Sequence, residues 1–248
     1  MASQQIVNWQ EHGAIQAIQN NIRYGQARAN LSGKGKSVSF LYEASPAAKD
    51  QDPVNVKMVL QTPKMFCPFG VNVFQPDQPD AQPKYSIPLS FRGENTKMAA
   101  FQQLMRMIDA ANVEMAYRKQ EEWFNEKGKA REIIEDRYYP IVEQKDARYE
   151  PKFKGKLEHT REGQYRGMVF DDGRPPQQVG LDYVEKMCHA VALVEFGPLW
   201  IADKKFGQTV RIIQLKCYKA RCINHHAIVD DDDMDCTDDH EDAECSME

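Results

Sequence analysis

Residue groups that could carry out catalysis do not occur in their usual spacings. The glycine-rich stretch Gly33-Lys-Gly-Lys36 lacks the G-x-x-x-x-G-K-S/T pattern whose backbone amides surround a phosphate, and no G-x-G-x-x-G follows a predicted strand. There is no G-x-S-x-G, and no cysteine has flanking residues that suggest a nucleophile. The pair Asp171-Asp172 precedes Gly173 and fits a turn better than acid–base catalysis. We therefore expect a protein without enzymatic activity or cofactor.

One cluster, Cys217-x4-Cys222-x2-His225-His226, could bind zinc, because thiolate and imidazole groups are common zinc ligands. Its spacing is not a standard one, and Cys217 lies in an alternating stretch where a buried thiol acts as a small hydrophobe. We favour that interpretation and predict no metal site. A metal enzyme built on this cluster is the alternative, and it predicts stoichiometric zinc. Six cysteines in 248 residues do not form a disulfide framework, so we expect free thiols.

Basic and aromatic residues alternate in three groups along the chain. Cations can follow the phosphates of a single strand while flat rings stack on its bases, each ring contributing about 1 to 3 kcal/mol without reading the sequence. The alternative for each single ring is a place in the core. The three groups supply these candidate nucleic-acid-binding residues: Lys57, Lys64, Phe66, Phe69 and Phe74; Tyr149, Lys152, Lys154, Lys156, Arg161, Tyr165 and Arg166; Trp200, Lys204, Lys205, Phe206 and Arg211.

The most specific local pattern is Tyr149-x-Pro-Lys-Phe-Lys-Gly-Lys156. In a strand, alternate side chains point to opposite faces, so Lys152, Lys154 and Lys156 share one face and Phe153 faces the core. The lysines then face solvent or phosphate. The alternative is an edge strand that lysines protect from aggregation.

Charge is divided unequally along the chain. The whole sequence has a net charge of -5, from 32 basic and 37 acidic residues. Residues 230–248 hold eleven of the acids and no lysine or arginine, so the remainder has a net charge of +6. A basic body with an acidic tail is consistent with a nucleic-acid-binding surface and a polyanionic appendage. A tail of this composition is expected to be disordered.

The elements that would position these residues are mostly strands. Residues 4–28 could form a short helix with Ile6, Ile15, Ile18 and Ile22 as apolar positions. Residues 95–127 predict one long amphipathic helix whose apolar stripe faces the core rather than a partner. That stripe consists of Met98, Phe101, Leu104, Met105, Ile108, Ala111 and Met115. Predicted strands are 37–43, 55–61, 85–91, 138–142, 152–157, 167–170, 190–196, 199–201 and 209–220.

These elements predict a mainly β fold with α (α+β), in the form of an OB-like β-barrel with one long inserted helix and a disordered acidic tail. The expected organisation is an N-terminal helical segment at 1–34, an OB-like nucleic-acid-binding domain at 35–229 and the tail at 230–248. The N-terminus has no apolar signal region, and no apolar run is long enough to span a bilayer. We therefore expect a soluble, intracellular protein that does not contact membranes.

Six segments follow one another in a characteristic order: Thr62-Pro-Lys-Met-Phe-Cys-Pro-Phe-Gly70, Tyr85-Ser-Ile-Pro-Leu-Ser-Phe91, the long helix, Tyr149-Glu-Pro-Lys-Phe-Lys-Gly-Lys156, Met168-Val-Phe-Asp-Asp-Gly173 and Leu199-Trp-Ile-Ala-Asp-Lys-Lys-Phe-Gly207. Over most of residues 35–225 this order resembles the single-stranded DNA-binding proteins of large eukaryotic DNA viruses. The layout is also similar to that of the replicative single-stranded DNA-binding proteins of tailed phages.

The resemblance implies a barrel that coats single strands during replication, recombination or repair, in the host cytoplasm or nucleus if the protein is viral. It also implies a tail that competes for the DNA groove and recruits replication proteins. The alternatives are a virion structural or interaction protein without nucleic-acid binding, and a tail that serves only solubility. RNA in place of DNA stays open. So does a homo-oligomer, because the long helix could pair with a copy of itself.

Overall fold

The computed structural model describes residues 3–31, 35–45, 53–77, 82–93 and 95–219. The strands in this part of the chain are β1 (Gln4–Ile6), β2 (Ile22–Ala29), β3 (Lys36–Ser45), β4 (Val54–Gln61), β5 (Met65–Cys67), β6 (Asn72–Phe74), β7 (Lys84–Ser90), β8 (Tyr138–Tyr139), β9 (Lys152–Leu157), β10 (Met168–Phe170), β11 (Gln178–Val179), β12 (Cys188–Ala202) and β13 (Lys205–Tyr218). The α-helices are α1 (Ala14–Asn21), α2 (Thr96–Arg118), α3 (Gln120–Phe124) and α4 (Arg131–Glu135), and a 3-10 helix spans Leu181–Tyr183. The predicted class, mainly β with α, is confirmed.

Five strands pair in a closed circuit. The β12–β13 hairpin has twelve residue pairs, and the circuit continues from β12 through β5, β7 and β9 back to β13. Strands β7 and β9 share six pairs. Strands β12 and β5 share three pairs, and the other two junctions rest on one residue pair each, Phe66 with Ser90 and Arg211 with Lys156.

The other strands extend this circuit. Strands β4 and β3 pair with β12 beyond β5, and they carry β1 and β2 on their outer sides. Strand β6 pairs with β7, while β8 and β10 pair with β13 on the same side as β9. The result is one sheet in which β9 lies between β7 and β13.

Helix α2 covers the interior, as the apolar stripe predicted. Met98, Phe101, Leu104, Met105 and Ile108 are buried against the inner faces of the strands. The helix begins where the side chain of Asn95 accepts a hydrogen bond from the amide of Lys97 at 2.9 Å. It ends at Arg118, and α3 follows after Lys119, so two helices occupy the range predicted as one.

A buried polar network joins α2 to the strands. The amide of Asn112 donates to Tyr138 Oη at 2.9 Å and accepts from Tyr24 Oη at 2.8 Å. Tyr138 in turn donates to Asp109 Oδ1 at 2.7 Å, and the same carboxylate accepts the Ile141 amide. Burial raises the pKa of Asp109 although these hydrogen bonds oppose the shift. The network fixes the helix relative to β8, since each buried polar group depends on a partner in another element.

The N-terminal prediction is partly wrong. Only residues 14–21 of the predicted 4–28 are helical, because β1 and β2 pair with β4 and β3 on either side of this helix. Ile6 consequently lies in a strand with 60% of its surface exposed, and Ile22 begins β2. The short strands β5 and β6 were not predicted, and the two strands predicted at 190–196 and 199–201 are one continuous strand, β12.

Three cysteines lie in the core. Cys67, Cys188 and Cys217 are buried free thiols, which agrees with the interpretation of Cys217 as a small hydrophobe. The other members of the Cys/His cluster, Cys222, His225 and His226, lie outside the described residues, as does the tail at 230–248. Among the described residues no group of three potential ligands could hold a metal ion. No helix in the same part of the chain is long and apolar enough to cross a membrane.

Candidate nucleic-acid interface

Strand β9 presents its lysines outward, as predicted. Phe153 and Leu157 are 0% and 2% exposed, whereas Lys154 and Lys156 are exposed and Lys152 is half-buried. Opposite the lysines on β7 lie Ser90, Pro88 and Ser86, none of which carries a charge. Among the described residues, no acidic side chain forms an ion pair with any of the three lysines, which we call the lysine row. Their charge is therefore available to a ligand.

A groove of about 600 Å³ lies at the Lys152 end of this row. Its rings are those of Phe66, Phe69 and Tyr149, and we call it the aromatic groove. Phe69 is 51% and Tyr149 69% exposed, so both rings present apolar surface to solvent. Three exposed or half-buried rings around one groove provide surfaces on which planar groups can stack.

Three local features position these rings. Phe66 points outward because its neighbours Met65 and Cys67 are buried on the inner face of β5. Phe69 lies in the turn after β5, where Gly70 has a φ of 64°, a conformation that favours glycine. The Tyr149 amide donates to the carbonyl of Asp146 at 3.1 Å, which closes a turn ahead of β9.

Cations lie close to each ring. Lys152 Nζ is 5.6 Å from the centroid of the Phe69 ring, and the Arg92 guanidinium is 5.3 Å from that of Phe66. Arg148 lies 5.9 Å from the Tyr149 ring, but its guanidinium also pairs with Asp146 at 2.7 Å. These hydrogen bonds lower the pKa of Asp146 and raise that of Arg148.

A second groove, of about 970 Å³, lies at the Lys156 end of the row. Four cations line it, namely Lys84, Lys156, Arg161 and Arg166, and we call it the basic groove. None of the four forms an ion pair within the described residues. Asp77 and Glu158 also line the groove, but Glu158 already pairs with Arg211 at 2.6 Å. The local charge is therefore positive.

The aromatic residues of the basic groove have different degrees of exposure. Phe74, on β6 opposite Lys84, is 61% exposed. The rings of Tyr85 and His159 lie against each other, with centroids 3.9 Å apart and planes at 31°. Tyr165 Oη donates to the carbonyl of Ile212 at 2.6 Å, so this predicted stacking residue instead anchors the loop 158–167 to β13. Burial raises the pKa of Tyr165.

Two of the predicted nucleic-acid-binding cations, Lys57 and Arg211, form ion pairs with a buried glutamate. Glu195 is 3% exposed and pairs with Arg211 at 2.9 Å and with Lys57 at 3.3 Å. Burial favours a raised pKa for Glu195, but hydrogen bonds from Gln4 and Arg211 and the Lys57 ammonium lower it on balance. The charges of Lys57 and Arg211 thus compensate a buried carboxylate, and neither residue lines either groove.

The third group of candidate nucleic-acid-binding residues, within 200–211, does not lie on one surface. Phe206 is 0% exposed and packs against Trp123, Phe124 and Tyr138. Its assignment to a stacking surface is therefore wrong. Lys204 pairs with Glu126 at 2.6 Å. This lysine, together with Arg137, lowers the pKa of Glu126 to about 2.

Trp200 and Lys205 lie in a separate patch on the outer face. The Trp200 ring is half-buried, 5.4 Å from the ring of Tyr139, and Lys205 Nζ lies 5.7 Å from the same tyrosine ring. Lys64 is exposed but lies outside both grooves, with its Nζ 4.0 Å from the Tyr218 ring.

The two grooves also contain residues that sequence reasoning missed, namely Arg92, Arg148, Lys84, Tyr85 and His159. Arg148 adjoins the predicted Tyr149, so a wider window around the Lys-rich strand would have included it. Arg92 and Lys84 flank the predicted strand 85–91, but their place beside the lysine row depends on the β7–β9 pairing. Local sequence does not specify that pairing.

Residues 93–230, more than half of the chain, match the model of a family described as a family of unknown function (DUF5871). The chain belongs to this family. None of the curated proteins matches its sequence.

Solved structures of phage proteins are similar to this DUF5871 member. The single-stranded DNA-binding protein gp2.5 of bacteriophage T7 aligns with a TM-score of 0.44 and 9% identity, over 77% of this chain and 100% of that chain. The single-stranded DNA-binding protein of bacteriophage Enc34 aligns with a TM-score of 0.41 and 11% identity, over 84% and 98%. The Enc34 protein in complex with single-stranded DNA aligns with a TM-score of 0.40 and 11% identity, over 65% of this chain and 86% of that chain. At such low scores and identities, the side chains of the DUF5871 member itself have to carry any functional conclusion.

Proposed function

We propose that the protein binds single-stranded DNA without reading its sequence and has no catalytic activity. One observation carries the proposal, the lysine row on the outer face of β9 with a ring-bearing groove at each end. Unpaired cations at alternate positions can follow a phosphate backbone, and exposed rings can stack on unpaired bases. Stacking requires bases that are free of a complementary strand, so this combination favours single strands over duplex.

We further propose that the closed circuit of β5, β7, β9, β13 and β12 is an OB-type barrel. Five strands, Greek-key connections and a ligand on one sheet face are the features of that fold. The closed pairing and the helix α2 between β7 and β9 support it.

In the cell, we propose that the protein coats and protects single strands during DNA replication, recombination or repair, in a viral setting as the sequence resemblance implies. The eleven carboxylates of residues 230–248 form a short polyanion attached to a basic body. Such a tail can occupy the lysine row transiently, because a tethered competitor has a high effective concentration. It would leave when a DNA strand arrives and takes its place on the row. It then becomes available to replication proteins.

The direct test is a competition experiment with single-stranded DNA, duplex DNA and RNA of equal length. The fluorescence anisotropy of a labelled oligo(dT) should rise on addition of the protein, and the affinity should fall steeply as salt rises. Trp9 and Trp123 are buried while Trp200 is half-buried, so quenching of intrinsic fluorescence would report a strand near Trp200. No anisotropy change and no salt dependence would refute the proposal and favour a structural or interaction protein.

The tail is tested by a chain that ends at Val229. Its affinity for oligo(dT) should exceed that of the full chain, and the difference should shrink at high salt because tail and row attract each other through charge. A full-length variant whose tail Asp and Glu residues are replaced by Asn and Gln is the matched control and should behave like the truncated chain. Equal or weaker binding of both variants would limit the tail to solubility or partner recruitment.

A further inference from the structure

The aromatic groove and the basic groove differ in chemistry although one strand connects them. The aromatic groove has three rings with free surface, but three acidic side chains also line it, Glu143, Asp146 and Glu150. One of its four cations, Arg148, is paired with Asp146. Its net charge is therefore close to neutral, and its ring surface is its main binding feature.

The basic groove has the opposite character. Its four cations are unpaired within the described residues, and one of its two acids, Glu158, pairs with Arg211. Tyr85 and His159 each cover one face of the other. Among the described lining residues, Phe74 is thus the one ring with a largely exposed surface.

The lysine row connects the two grooves. Lys152 lines the aromatic groove and Lys156 lines the basic groove, with Lys154 between them. Lys152 and Lys156 are four residue steps apart along the strand, a distance of about 13 Å at the usual rise per residue. A single strand lying along β9 would therefore reach both grooves while its phosphates follow the lysines.

We infer that the two grooves are distinct subsites of one site, with bases bound in the aromatic groove and phosphates in the basic groove. This inference rests on the proposed function, since it assigns parts of the same ligand to the two ends of β9. It predicts that affinity has two components that respond differently to salt. Phosphate contacts release counterions and make binding salt-dependent, whereas stacking does not.

The first test compares two double variants by anisotropy with a labelled oligo(dT) of about 16 nucleotides, the upper site size of a single OB fold. R161Q/R166Q should lower the slope of log K against log salt by about 0.7 for each phosphate that the protein no longer neutralises. F69A/Y149A should weaken binding about 30-fold or more, from about 1 kcal/mol or more for each of two rings, while leaving the slope unchanged. All four side chains are exposed, so thermal unfolding should confirm that both variants fold, and K97Q serves as a control from an exposed position in α2.

The second test uses ligands without bases. Inorganic tripolyphosphate and an abasic oligonucleotide should compete with oligo(dT), and R161Q/R166Q should weaken that competition, because two of the four cations of the basic groove are lost, while F69A/Y149A should retain it. Equal slopes in the two variants, or the absence of competition in both, would overturn the division into subsites and leave DNA binding intact. Failure of the unaltered protein to bind oligo(dT) would refute the proposed function and this inference together.

Discussion

Replacing the lysine row tests the interface most directly. In K152Q/K154Q/K156Q, three cations leave the outer face of β9 while Phe153 and Leu157 stay in the core. The substitutions should change the free energy of unfolding by little, about 0.5 kcal/mol or less for each exposed position. If each lysine contacts one phosphate, the slope of log K against log salt falls by about 2.1, from 0.7 per phosphate. The ratio of wild-type affinity to variant affinity should then shrink about 18-fold between 50 and 200 mM salt.

The assay is anisotropy of labelled oligo(dT) at several salt concentrations, with a second triple variant as control. K97Q/K129Q/K186Q removes the same charge from exposed positions outside both grooves, and none of these lysines forms an ion pair in the described part of the chain. Loss of long-range attraction should lower the affinity of both triple variants. Only the loss of direct phosphate contacts should reduce the slope by the full amount of about 2.1. Equal slopes in the two variants would show that the row does not contact phosphate.

Three further predictions concern residues that support the interface. Phe206→Ala should destabilise the protein by about 3 to 5 kcal/mol and leave the affinity of the folded fraction unchanged, which chemical denaturation and anisotropy would measure; a specific loss of affinity would return Phe206 to the ligand surface. Glu126→Gln should lower the melting temperature at neutral pH, because the partners Arg137 and Lys204 hold the pKa of Glu126 at about 2. That difference is fully present above the unfolded-state pKa of about 4.3 and should fade as pH falls toward 2, so a gap independent of pH would contradict it. Gly155→Val should cost about 1 to 3 kcal/mol in a denaturant titration, because a side chain there would collide with Ile212, and unchanged stability would show that β9 and β13 can separate freely.

The sequence could predict the features that depend on local periodicity. The alternation in β9 follows from a period of two, so the outward lysines and the inward Phe153 could be assigned without knowledge of neighbouring strands. The apolar stripe of α2 follows in the same way from the helical period. Both assignments are confirmed.

Features that depend on distant partners could not be predicted. Lys57 and Lys154 look alike in sequence, but Lys57 pairs with Glu195, which lies 138 residues away along the chain. Phe206 and Phe69 are both followed by glycine in the sequence, yet Phe206 is buried in the core and Phe69 lies in a turn exposed to solvent. Whether a cation or ring is free is a property of the tertiary structure, and burial and pairing decide it.

The ribbon formed by β7 and β9, which carries the lysine row, is joined to the other three strands of the circuit by one residue pair at each of two seams. Phe66 with Ser90 closes one of them and Arg211 with Lys156 the other, whereas β12 and β13 share twelve pairs. Local opening starts where the fewest hydrogen bonds must break, so the β7–β9 ribbon should exchange its amide hydrogens faster than the long hairpin. Both seams lie at the ends of the proposed strand path. An oligonucleotide lying along β9 would brace the ribbon at both places, and occupancy should slow amide exchange in β7 and β9 more than in β12 and β13.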